Sequence, residues 1–134
     1  MSTKKFHPDN TTPRGKQVVF VFGSNLAGRH GAGAAKVARV NFGAAYGVGS
    51  GPTGRAYAIP TKGSRLEVLP LAEIEQSIQA FLVYAASQPK TDFFVTRIGC
   101  GLAGFDDGQI APLFAAAPDN CSLPEPWQAL IGQI

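Results

Sequence analysis

The hydrophobic positions of this chain recur with two different periods, and the alternation of those periods predicts strands interleaved with helices. Residues 18–22 (VVFVF) form a continuous apolar run closed by Gly23, the pattern of a central strand buried on both faces. Next, Ala34, Val37 and Ala38 recur at helical spacing while Lys36 and Arg39 fall on the other side, which predicts a helix of about three turns ending near Phe42 and Gly43. Residues 43–54 are too rich in glycine for a regular element. Residues 55–60 then read as a short strand with Pro60 at its end, where a ladder N–H is dispensable. The clearest stripe is Leu71, Ile74, Ile78, Phe81, Leu82 and Ala85, a helix entered through Pro70. Residues 92–98 (DFFVTRI) predict a further strand, and Asp106 or Asp107 caps a last helix that reaches about Ala116 and is bent by Pro112. Residues 120–123 add a short final strand, with Trp127 anchoring the tail.

Strands alternating with helices predict an α/β fold: three layers, α/β/α, around a largely parallel central sheet. Ligands of such sheets bind beyond the carboxyl ends of the strands. Residues 23–33, 61–63 and 99–105 leave those ends and are expected to line one crevice. Residues 1–17, charged and without a hydrophobic period, read as a flexible leader, leaving 18–134 as a single domain.

Composition narrows the class. A chain of 134 residues has the length of one domain and buries roughly two-thirds of its unfolded surface without a staple. Two cysteines, Cys100 and Cys121, make neither a disulfide framework nor a zinc or redox spacing, so a reducing compartment is expected. The first ten residues hold no apolar run of signal-peptide type, and no stretch approaches the roughly 18 apolar residues of a membrane span. A soluble, cytoplasmic protein without a membrane partner is the expectation. The net charge of +3 permits contact with phosphate. The twelve basic residues are dispersed along the chain, however, with Lys4 and Lys5 the only adjacent pair, so direct nucleic-acid binding is only weakly supported.

Glycine changes the picture more than charge does. Of sixteen glycines, nine lie within residues 23–54 and three within 99–104. The first loop, GSNLAGRHGAGAAK, can turn successive backbone N–H groups toward an anion ahead of the next helix. It is not a P-loop, because Arg29 and His30 stand where a lysine and a magnesium-binding hydroxyl are required. The second loop matches GxGxxG between a strand and a helix, but only thirty residues follow Gly104, too few for the further units of a dehydrogenase. Two glycine loops on neighbouring strand ends suit a pyrophosphate with a sugar on each side.

The ordered set VFGSN, GAGAAK, AYAIPTK and TRIGCGLAGF, covering roughly residues 18–123, resembles macro domains. TK followed by RIGCGL is most similar to the branch containing the terminal ADP-ribose protein glycohydrolase, and also to small macro-like proteins of bacteria and phages. The resemblance implies a macro-like fold that binds ADP-ribose or an ADP-ribosylated macromolecule, with no metal and no further cofactor. It places Asn25 beside the distal ribose, with Gly23 and Ser24 in the ligand-binding set; on the enzymatic reading Asn25 and His30 lie near that ribose as catalytic candidates, His30 as a general base. It gives Gly31, Ala32 and Gly33 the role of the run that wraps the phosphates, and it makes Gly99, Cys100, Gly101, Leu102, Ala103 and Gly104 the opposite phosphate loop. Lys62 falls at the lysine that attacks the anomeric carbon in the glycohydrolase branch, a role that requires an unprotonated amine.

There are departures from the pattern. Ala103 stands where that branch carries an aspartate, so the assisting acid is missing or replaced, with Asp106 or Asp107 the candidate substitutes. Ala34, Ala35 and Ala103 occupy the regions where the better-known hydrolytic branch has an aspartate and an aromatic residue, and Phe105 is the nearest aromatic able to stack on the ribose.

Plainer readings stand beside these. Asn25 also suits a turn cap, His30 a solvated loop position, Lys62 an exposed strand end and Cys100 a small packing position. Arg97, inside an apolar strand, must pair with a carboxylate or reach the crevice rim. Three functions follow: an enzyme that releases ADP-ribose through Lys62, a binding module without chemistry, and a basic nucleic-acid-binding domain.

Overall fold

A computed structural model describes residues 5–13, 17–101 and 103–131. Six strands form one sheet in the order β1-β6-β5-β2-β4-β3. They are β1 (Lys5–His7), β2 (Val18–Asn25), β3 (Gly51–Thr53), β4 (Ala56–Lys62), β5 (Asp92–Val95) and β6 (Cys121–Pro124). Every neighbouring pair is parallel except β3 with β4, which is antiparallel. Helices α1 (Gly33–Asn41) and α2 (Leu71–Ala86) make the crossovers, α3 (Asp107–Ile110) runs on into a 3-10 turn, and α4 (Gln128–Ile131) closes the described chain. This is the three-layer α/β/α arrangement expected from the alternation of periods.

The central position of β2 explains its unbroken apolar run. It lies between β4 and β5, so both of its faces are covered and its side chains sort alternately. Phe20 and Phe22 join Ala56, Ala58, Phe94, Ala35 and Ala38 on the α1 face. Val21 joins Tyr57, Ile59, Phe93 and Val95 under α2. The predicted α2 stripe is buried at Ile74, Ile78, Phe81, Leu82 and Ala85. Burial of one large aliphatic side chain of this kind stabilises by about 1.5–3 kcal/mol.

Four expectations need correction. The segment read as a flexible leader holds β1, which pairs with β6 while the His7 ring stacks on Phe94 at 3.7 Å and its Nδ1 meets Ser122 Oγ at 2.7 Å. Three residues carry no readable period, and their order comes wholly from partners distant in sequence. The glycine-rich segment 43–54 contains β3, because the turn at Gly54 and Arg55 folds it back on β4. β5 ends at Val95, not at residue 98, because both the backbone N–H and the hydroxyl of Thr96 turn to the carbonyl of Val21. The last helix is one turn long. Pro112 has no N–H to give an α-helical bond, and the chain tightens to a 3-10 turn over Ala111–Phe114.

Candidate functional site

At the carboxyl end of the sheet the two glycine loops meet. A Cβ placed on Gly23 would stand 3.7 Å from the Gly99 nitrogen and 3.7 Å from Thr61 Oγ1, so β2 leaves the sheet between the other two strand ends. Beyond this junction, on the α1 face, lies a cleft of about 780 Å³. Its floor is apolar, made by Phe20, Phe94, Ala34, Ala35 and Val37, and its walls are the loops themselves.

The first loop is shaped by its own packing. Gly28 adopts φ +69°, and a Cβ there would run into the backbone of Gly47, so only glycine lets the two segments touch. The Asn25 side chain closes the turn with both ends, its Nδ2 donating to Arg29 O at 2.8 Å and its Oδ1 accepting from Arg29 N at 2.9 Å. The Ser24 hydroxyl donates to the carbonyl of Gly49. What remains bare faces outward: Gly31 and Gly33 have nothing within 4 Å of a Cβ position, and both line the cleft. The loop feeds straight into α1, which has no side-chain cap and no acidic residue in its first turn. Its first amides therefore keep their donor capacity, and the helix dipole adds to it.

The second loop is held from below. Gly99 adopts φ +76° with Ile110 under its Cβ position, and Phe105 N donates back to Gly99 O at 2.8 Å. Gly101 faces open space on the cleft.

Of the sequence-predicted site residues, the structure brings Gly23, Ser24, Asn25, Gly31, Ala32, Gly33, Lys62, Gly99, Cys100, Gly101 and Ala103 onto the cleft. Leu102 lies outside the described residues. The other four take different places. His30 is fully buried, its Nε2 at 3.1 Å from Val48 O and its ring against the edge of Phe22, so it packs behind the loop and not in front of it. Burial pushes its pKa down, and the Arg39 charge pushes the same way. Asp106 caps α3, where its N–H donates to Gln109 Oε1 at 3.0 Å. Phe105 packs, partly buried, against the core under α2, and Gly104 forms the turn between. None of these four lines the cleft.

Arg97 does both things that its position allowed. Its guanidinium pairs with Asp9 at 2.9 Å and with Asp107 at 2.7 Å, and it lines the cleft. Trp127 Nε1 donates to the same Asp107 carboxylate at 2.8 Å, and the arginine holds that carboxylate below its usual pKa. The network fastens the N-terminal segment to the second loop and the tail. Cys100 sits half-buried beside it, and burial and Asp107 push its thiol up to about 12, which leaves it neutral and a poor nucleophile.

Sequence reasoning missed one wall and one rim. Residues 7–12 line the cleft along its outer side, and the only carboxylate among the described lining residues is Asp9. The signal for it was Arg97, whose half-buried charge demanded a partner. Leu66 lines the end near Lys62 at φ +65°, a conformation that costs a non-glycine residue roughly 1–2 kcal/mol, and no sequence signal marks it. Lys62 makes no ion pair among the described residues, and Arg29 is likewise unpaired.

The class defined by this geometry is an α/β domain with a glycine-walled cleft at the carboxyl ends of its strands, cationic at Arg29 and Lys62 and apolar beneath. Among the described residues, no group of histidines, cysteines or carboxylates is arranged to hold a metal ion, and no helix is long and apolar enough to cross a membrane. Comparison with protein-family models, with curated proteins and with solved structures finds no match.

Proposed function

We propose that the cleft binds ADP-ribose or a close relative of it, as a macro-like domain. The observation that carries this reading is the meeting of two bare glycine loops around one cleft, with the uncapped start of α1 on one wall. A diphosphate needs several N–H donors converging on it, and side-chain-free backbone lets it approach closely. The volume lies within the range of small-molecule sites, and the apolar floor suits the flat faces of a base and sugars. Arg29 and Lys62 supply positive charge to the same space.

A second reading, release of ADP-ribose through Lys62, draws on the position of that lysine on the cleft. It lacks a free acid. Asp106 faces elsewhere, Asp107 is engaged by Arg97 and Trp127, and Asp9 is engaged by Arg97. Binding without chemistry is therefore the better supported of the two.

Calorimetry with ADP-ribose, NAD and inorganic pyrophosphate tests both readings. Binding of ADP-ribose in the micromolar range, about −8 kcal/mol, is expected. Lys62→Ala is expected to weaken that binding only modestly. Product release from an ADP-ribosylated substrate that disappears in Lys62→Ala would replace the binding reading with the enzymatic one, and absence of any nucleotide binding would remove both.

A further inference from the structure

Charge is divided between the halves of this chain in a way that the net value conceals. Between Asp9 and Glu67 the sequence holds eight lysines and arginines and no aspartate or glutamate, while the remaining eight carboxylates begin at Glu67. The fold carries part of this linear division into space. α1 and the first glycine loop cover one sheet face, whereas α2, with Glu73 and Glu75, covers the other.

On the α1 face the cations gather. Lys36 and Arg39 are three residues apart on the exposed side of α1. Arg39 Nε donates to His30 O at 3.1 Å, which holds its guanidinium beside the first loop. Arg55 extends the row past the end of α1, donating to Asn41 O at 2.9 Å and lying over the Phe42 ring. Neither Lys36, Arg39 nor Arg55 makes an ion pair among the described residues, since both such pairs there belong to Arg97. Tyr46, an aromatic ring left 68% exposed, lies edge-on at 6.5 Å to His30, the residue whose carbonyl Arg39 bonds. Gly47, next to it, is bonded to Gly28 on the first loop.

We infer that this face, adjoining the cleft but distinct from it, binds a single-stranded nucleic acid, with Lys36, Arg39 and Arg55 meeting phosphates and Tyr46 stacking on a base. Unpaired cations in a row match a phosphodiester chain, and the exposed ring is what distinguishes that ligand from an acidic polypeptide. Bases of a single strand are free to stack on an aromatic side chain, whereas those of a duplex are already stacked on each other. The inference does not rest on the nucleotide reading of the cleft.

The test is fluorescence anisotropy with labelled oligo-dT and oligo-U of about 20 nucleotides, a duplex of the same length, and poly-glutamate, at salt from about 50 to 200 mM. Either single strand is expected to bind with a log–log salt slope near −2, as three phosphate contacts dictate. Lys36→Glu is expected to reduce that slope by about 1, and Tyr46→Ala to weaken binding about tenfold while leaving the slope in place. Thermal melts of both variants separate loss of contact from loss of fold, and Lys36→Gln gives a milder second variant. No binding by the wild-type chain at low salt, binding unmoved by both substitutions, a duplex bound as tightly, or poly-glutamate bound as tightly would each overturn the inference.

Discussion

The two faces of the sheet are built from the same strands and do different work. Under α2, the side chains are large and interlocked: Ile74, Ile78, Phe81, Phe93, Phe114 and Trp127 are all fully or almost fully buried. Under α1, the inward residues of the helix are alanines, and the space they leave near the strand ends is the cleft. Ala35 and Ala38 pack α1 on the sheet, while Gly31 and Gly33 at its start stand open on the cleft. Large buried side chains are thus concentrated on the face away from the cleft, and the cleft face is free to keep bare backbone, unpaired charge and a strained leucine.

The sharpest way to break this division is Ile78→Ala. Ile78 is fully buried beneath α2, so truncation should cost about 2–5 kcal/mol, a large part of the roughly 5–15 kcal/mol available to such a domain. Urea unfolding should show the loss, while the folded fraction should bind ADP-ribose as before. Weakened affinity at unchanged stability would mean that the faces are not separate.

The same contrast governs how much was legible in the sequence. β2, β4 and the α2 stripe declare themselves because burial repeats with a fixed local period, and the glycine loops declare themselves by composition. The outer wall did not. β1 exists only through β6, Asp9 only through Arg97, and β3 only through its return onto β4, and none of these contacts leaves a local pattern. His30 shows the limit for single residues. Its neighbours in sequence describe a loop, but its buried position is fixed by the Val48 carbonyl eighteen residues on. Asn25 was legible as a turn residue, and the side chain that closes the turn also borders the cleft.

On the cleft side a smaller perturbation should have the opposite signature. Gly101 lines the cleft with nothing within 4 Å of its Cβ position, so Gly101→Val adds volume where a ligand would lie and not where protein packs. A loss of about tenfold in ADP-ribose affinity, 1.4 kcal/mol, is expected together with a stability change within about 0.5 kcal/mol. A fall in melting temperature with binding unchanged would place that loop against protein and contradict the cleft.

The smallest effect expected is a dependence on pH, and it too should belong to one face. The chain has two histidines, His7 and His30, and both pack against α1-face aromatics, Phe94 and Phe22. Burial lowers both pKa values from 6.5; Asp9 opposes the shift at His7, whereas Arg39 adds to it at His30. The unfolded chain therefore takes up protons first as the pH falls, so stability is full above about 6.5 and declines below it until the folded-state histidines also titrate. His30→Gln should flatten part of that decline, because the ring that protonates is gone, and His7→Gln should flatten most of the rest. Equilibrium unfolding at pH 7.5 and about pH 5.5 measures the slope, which is independent of any constant cost of either substitution. If the slope survives both changes, the acid sensitivity does not reside in these two rings, and the α1 face loses its claim to be the softer half of the molecule; the carboxylate of Asp107, held below its usual pKa, loses its contribution only at lower pH.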